Sequence, residues 1–135
     1  MAQLCEKRNA RLNPVGEILL IDDDANHREL YSRRLQRLGY AIRTAGSADE
    51  ALEKVSEASP HLIVLDIAMP GRDGLSLLQE LVALNPSVPV IIHTAYPAFR
   101  DNYLTWTAEA YIEKSSNLQP LSRAIEEAIG ERVVA

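Results

Sequence analysis

Apolar runs of strand length that stop abruptly at polar residues constrain this chain more than any other feature. Ile18-Leu-Leu-Ile21 stops at Asp22-Asp23-Asp24, and His61-Leu-Ile-Val-Leu65 stops at Asp66, with the turn-forming string Met69-Pro-Gly-Arg-Asp-Gly74 just beyond. Val90-Ile-Ile-His93 stops at Thr94-Ala95, and Ala110-Tyr-Ile-Glu113 stops at Lys114. Runs that are apolar at every position belong to strands covered on both faces, which is the environment of a parallel sheet between helical layers. The polar residues then gather at the carboxyl edge of the sheet, where open α/β sheets bind their ligands. Carboxylates crowded at one edge repel each other. A divalent cation relieves that repulsion, and a hard cation such as magnesium takes oxygen ligands.

The intervening segments read as helices. Strands are expected at about Glu17–Ile21, Tyr40–Ala45, Leu62–Asp66, Val88–His93 and Ala110–Glu113. The first helix covers about Asn26–Leu38, with Leu30, Tyr31, Leu35 and Leu38 inward and Gly39 as its stop. Ser47-Ala-Asp-Glu50 is a capping box at the start of the second. The third follows Asp73 as N-cap, turns Leu75, Leu78 and Val82 inward and ends at Asn85-Pro86. The fourth covers about Ala98–Thr107. The fifth begins after Asn117, accommodates Pro120 in its first turn and buries Leu121, Ile125 and Ile129. Five strands alternating with five helices make an α/β, doubly wound parallel sheet.

Composition removes several classes of function. With 135 residues, 47% of them hydrophobic, the chain is the size of one domain with a full core. No apolar run approaches the roughly 18 residues of a membrane span, and no apolar stretch follows Lys7, Arg8 and Arg11 as a secretory signal requires. A net charge of −5 disfavours nonspecific nucleic-acid binding. Cys5 is the only cysteine, which fits a reducing compartment such as the cytoplasm.

Taken in order and at these spacings, the motifs Ile18-Leu-Leu-Ile-Asp-Asp-Asp24, Leu65-Asp-Ile-Ala-Met-Pro-Gly-Arg-Asp-Gly74, His93-Thr-Ala95 and Tyr111-Ile-Glu-Lys114 resemble the receiver domains of two-component response regulators. The resemblance runs from about Glu17 to Ile129. It implies a flavodoxin-like sheet of strand order 2-1-3-4-5, with 17–135 as the receiver and 1–16 as a flexible tail. It also implies that Asp66 accepts a phosphoryl group from a phosphohistidine on a histidine kinase or phosphotransfer protein. Asp23 and Asp66 would hold Mg2+ directly with the backbone carbonyl of Ala68, and Asp22 through a water. Lys114 and Thr94 would contact phosphoryl oxygens, Ala95 would leave them room, and Tyr111 would turn inward on activation. In this family the residues two past the acceptor and the threonine influence attack by water; here they are Ala68 and Tyr96, which offer no carboxylate or amide to orient one, and Tyr96 can shield the phosphoryl group. Slow dephosphorylation is the expectation.

On this reading the chain is a stand-alone cytoplasmic receiver rather than an enzyme. It promotes only its own phosphorylation and slow dephosphorylation, and it acts on an unidentified downstream protein, without direct nucleic-acid contact or membrane insertion. Pairing into a homodimer is left open. A face formed by the fourth helix, fifth strand and fifth helix is the expected output surface.

Three features depart from the family pattern. Ser115-Ser116 follows Lys114 where the family usually has a proline joined by a cis peptide. A cis bond before a non-proline residue costs about 2.5–4 kcal/mol, so a trans loop is expected here. Thr107 stands where glycine is common. Tyr96, Phe99, Tyr103, Trp106 and Tyr111 crowd into one segment, and Phe99, Tyr103 and Trp106 have helical spacing. That stripe is either core or partner surface. Asp24 reads as a solvated loop residue, His27 as surface polar, and His93 as packed core. The histidines have no metal-ligand spacing.

Two other functions compete. A receiver that binds partners without phosphorylation would lack a site residue, and none is missing. An aspartate-nucleophile phosphatase could use Asp22-x-Asp24, but Asn26 stands where those enzymes want Thr or Val. A flavodoxin-type cofactor site would need a phosphate loop rich in Ser, Thr and Gly after the first strand.

Overall fold

A computed structural model of the protein describes residues 16–68, 74–96 and 103–130. Five parallel strands, β1 (Glu17–Ile21), β2 (Ala41–Ala45), β3 (Leu62–Leu65), β4 (Val90–Thr94) and β5 (Ala110–Glu113), lie in the order β2-β1-β3-β4-β5. This is the flavodoxin-like arrangement expected. The helices are α1 (Ala25–Arg37), α2 (Ala48–Glu57), α3 (Gly74–Leu84) and α4 (Gln119–Ile129), the last being the fifth helix of the sequence reading. No helix among the described residues is long and apolar enough to cross a membrane.

Strand alternation divides the core in two. Ile18, Leu20, Leu62, Val64 and Ile91 face α1 and α4, where they meet Tyr31, Leu35, Leu121, Ile125 and Ile129. Leu19, Ile21, Ile63, Leu65 and Ile92 face α2 and α3, where they meet Ala51, Leu77, Leu78 and Leu81. Both faces of the central strands are therefore buried, as uninterrupted apolar runs require.

The helix ends follow local chemistry. Beyond α1, Gly39 adopts φ 103°, the Tyr40 N–H donates to the Leu35 carbonyl (3.3 Å), and the Gly39 N–H donates to that of Gln36 (3.0 Å). This is a Schellman motif, and it buries Tyr40 beside Leu35. Tyr40 thus closes α1 instead of opening β2, and it takes the core position expected of Leu38. At α2 the Glu50 N–H donates to Ser47 Oγ (3.1 Å), while Glu50 Oε1 reaches back to the Gly46 N–H (2.7 Å). Asn117 Oδ1 accepts from the Gln119 N–H (3.0 Å) at the start of α4.

Some expectations fail. Leu30 and Leu38 are 43% and 49% exposed, because the sheet contact of α1 is the narrow Tyr31–Leu35 stripe and Leu30 lies about 100° around the helix from Tyr31. In α3, Leu77 and Leu81 lie deeper than Val82, which is only partly buried. The described part of the expected fourth helix, Tyr103–Thr107, is a 3-10 helix. Thr105 and Thr107 are β-branched and weaken a continuous α-helix there. Residues 98–102 of that helix, the Asp73 cap and residues 1–15 of the expected tail lie outside the described residues.

Candidate functional site

The hydrogen-bond ladder of the sheet extends to the first residue beyond three strands. The Asp22 N–H donates to Ala45 O (3.0 Å), the Asp66 N–H to Ile21 O (2.9 Å) and the Lys114 N–H to Thr94 O (2.8 Å). Backbone pairing therefore fixes where each of these side chains starts. Asp22 and Asp66 are 2% and 7% exposed, and Thr94 is fully buried.

Lys114 is the hub. Its Nζ donates to Asp22 Oδ2 (2.6 Å) and Asp66 Oδ2 (2.9 Å), and His27 Nδ1 lies 3.0 Å away. Burial alone would lower the ammonium pKa, but the hydrogen bonds to Asp22 and Asp66 carry it above its ordinary value. The aim of Lys114 is thus firm, and no described peptide bond is cis, that to Ser115 included.

The remaining carboxylate oxygens are also placed. Asp22 Oδ1 accepts from the Asp24 N–H (2.9 Å) and Asp66 Oδ1 from the Ala68 N–H (2.9 Å). Asp23 is exposed. One oxygen from each of Asp22, Asp23 and Asp66 lies within 4.8 Å of the others. These are hard oxygen donors of the kind magnesium takes, in a space a small cation can bridge.

Two residues differ from expectation. Asp24 is no idle loop carboxylate: its Oδ1 accepts from the Asn26 N–H (2.9 Å) and the His27 N–H (3.2 Å), capping α1. The His27 hydrogen bond in particular holds its pKa below the usual value. Asp24 before a helical run is itself an N-cap signal. His27 is not merely surface polar, since it touches Lys114. His93 is packed core as expected, 4.8 Å edge-to-face from Tyr31, and burial lowers its pKa to about 4.

At the edge of the site, Ala95 and Tyr96 are exposed, and the Tyr96 N–H makes a long 3.4 Å approach to Thr94 Oγ1. The half-buried Tyr111 packs against the α2/α3 side of the core and donates its hydroxyl to the Tyr96 carbonyl. Trp106 is 73% exposed and so is not core. Phe99 and the Tyr103 side chain lie outside the described part of the structure.

The family profile described as the response regulator receiver domain matches residues 18–126, most of the chain and every element of the site. The chain belongs to the response regulator receiver family. The transcriptional regulatory protein ZraR of Escherichia coli K12 is 35% identical over 115 residues, covering 84% of this chain. The receiver spans only 26% of the length of that relative. Among solved structures, the response regulator TrrA of Thermotoga maritima, in complex with Mg2+-BeF, is 37% identical with a TM-score of 0.80, covering 83% of this chain and 97% of its own. TrrA in complex with the histidine kinase ThkA matches with a TM-score of 0.78, at the same 37% identity and the same coverage.

Proposed function

We propose that this receiver takes a phosphoryl group onto Asp66 from a phosphohistidine of a histidine kinase or phosphotransfer protein, and signals by changing its affinity for a downstream protein. The Lys114 ammonium shared by Asp22 and Asp66, with Asp23 alongside, carries this reading. The Mg2+-BeF and kinase complexes of TrrA support it by likeness.

Asp23 and Asp66 would hold Mg2+ directly, with the Ala68 carbonyl, and Asp22 would act through a water. Bound there, the ion would neutralise the charge of the carboxylates and the incoming phosphoryl oxygens. An Asp66 oxygen forms the new O–P bond as the donor P–N bond breaks. The bond's electron pair stays with the donor nitrogen, and the imidazole, protonated on its other nitrogen, leaves neutral. The work of the protein is positioning and charge neutralisation. Lys114 turns from the Asp66 carboxylate to a phosphoryl oxygen, Thr94 donates its hydroxyl to another, and Ala95 leaves room. Ala68 and Tyr96 offer no carboxylate or amide to orient an attacking water, and the exposed Tyr96 can shield the phosphoryl group, so hydrolysis is slow. No separate substrate is turned over. The surface of the fourth-helix region around Trp106, together with β5 and α4, is the output face.

The test is intact mass after incubation with magnesium and a small phosphodonor. Wild-type protein gains one phosphoryl group and Asp66→Ala gains none. Undiminished labelling of Asp66→Ala at one other residue would overturn the assignment, and an unlabelled wild type would favour a phosphorylation-independent binding module.

A further inference from the structure

The ammonium group of lysine has three protons to donate and no lone pair. At Lys114 all three have an acceptor: Asp22 Oδ2 at 2.6 Å, Asp66 Oδ2 at 2.9 Å and His27 Nδ1 at 3.0 Å. Facing an ammonium, Nδ1 can serve only as an acceptor, which places the imidazole proton on Nε2. His27 is itself held at its backbone and at its ring. Its backbone N–H is fixed by Asp24 Oδ1 (3.2 Å), and its ring packs edge-to-face on Tyr31, with centroids 6.2 Å apart. Tyr31 in turn stands against the buried His93 (4.8 Å). The lysine lines a cleft of about 320 Å3 together with His27, Tyr31, Arg34 and Ala95. Its loop beyond β5, Ser115-Ser116-Asn117, is exposed.

We infer that His27 is a positioning residue for phosphoryl transfer, acting through Lys114. The inference rests on the reading of Asp66 as acceptor. Asp22 and Asp66 anchor two ammonium protons, and one of those must be redirected when a phosphoryl group arrives on Asp66. His27 anchors the third from α1. The ammonium therefore pivots about a fixed point instead of swinging free into the cleft. Such positioning sets the rate of attack while leaving Mg2+ ligation to Asp23 and Asp66.

The test compares wild type, His27→Leu, which removes the acceptor, and His27→Asn, which returns an amide oxygen near the Nδ1 position. With phosphoramidate as donor and saturating Mg2+, His27→Leu is expected to label roughly three- to tenfold more slowly, the size of effect that one ordinary hydrogen bond has. Its Mg2+ affinity should hold, and His27→Asn should recover most of the rate. In a Lys114→Met background, His27→Leu should have no further effect. The second readout needs no activity: the 15N resonance of His27 Nδ1 in wild type should be that of a hydrogen-bonded acceptor, and in Lys114→Met that of a free lone pair. Equal rates for wild type and His27→Leu would overturn the inference. So would the same slowing in both backgrounds, or an unchanged Nδ1 resonance. If wild type takes no label at all, the reading of Asp66 fails instead, while the resonance still decides the His27–Lys114 contact.

Discussion

Three carboxylates stand in a row at residues 22–24, and their partners separate their roles. Asp22 is engaged at both oxygens, by Lys114 and by the Asp24 N–H. Asp24 turns to its own helix. Asp23 is exposed beside Asp22 and Asp66, with an oxygen to give to a cation. Asp23→Ala is therefore expected to weaken Mg2+ binding at least tenfold, since it removes one of the two carboxylates proposed as direct ligands. Asp24→Ala should leave Mg2+ affinity nearly unchanged and cost about 1 kcal/mol of stability through the lost cap. Magnesium titrations and urea unfolding of the two variants separate these outcomes, and equal losses of Mg2+ affinity would mean that the wrong acidic pair was chosen. The acidic cluster was legible in the sequence because a buried strand cannot run on through carboxylates. The division of labour within it was only partly legible, because it depends on where α1 begins. His27 was not legible at all: its contact with Lys114 joins residues 87 apart, and no local pattern encodes it.

At the scale of elements, the segments with strong local chemistry were readable. The Ser47–Glu50 pair, Gly39 and the apolar strands each have one favourable conformation. The errors fall where burial is decided by the neighbour. Nothing in the spacing of Leu30 and Leu38 says that α1 meets the sheet along only two residues, or that Tyr40 folds back over its end. A second tertiary constraint lies at the start of α3. A Cβ on Gly74 would stand 2.0 Å from the carbonyl oxygen of Ile67 and 2.5 Å from its carbonyl carbon, backbone atoms that cannot move aside cheaply. Ile67 directly follows Asp66. Gly74→Ala is expected to destabilise the fold by about 3 kcal/mol or more, through overpacking against backbone, and to weaken Mg2+ binding as the Asp66–Ala68 turn shifts. Gly130→Ala is the control, because a Cβ there meets nothing within 4 Å. Denaturant midpoints would measure both, and similar stabilities for the two variants would contradict the close-approach argument.

For the whole molecule, alternation of strands and helices was enough to specify a doubly wound parallel sheet. The order β2-β1-β3-β4-β5 came from the motif resemblance, since other doubly wound orders share the same alternation. That order matters for output. It places Thr94 at the end of β4, between the Asp66 strand and β5, where its carbonyl holds the Lys114 N–H (2.8 Å). Thr94 also makes the long contact to the Tyr96 N–H, and Tyr96 in turn accepts the Tyr111 hydroxyl. A phosphoryl group that draws the Thr94 hydroxyl toward itself would withdraw it from Tyr96 and release the Tyr96–Tyr111 pair to repack. Tyr111 already packs partly against the core, so the proposed switch would be a shift between two packings rather than a swing from solvent. Trp106 lies on the 3-10 helix just before β5 and is 73% exposed, so its emission has room to report any covering of this face. Phosphorylation is expected to change Trp106 fluorescence. The change should be absent in Asp66→Ala and reduced in Thr94→Ala, and hydrogen exchange over residues 96–125 should change with it. Identical exchange over that segment with and without the phosphoryl group would place the switch elsewhere. Trp106 would then be a static surface residue, and the output face would have to be sought on the α1 side of the site.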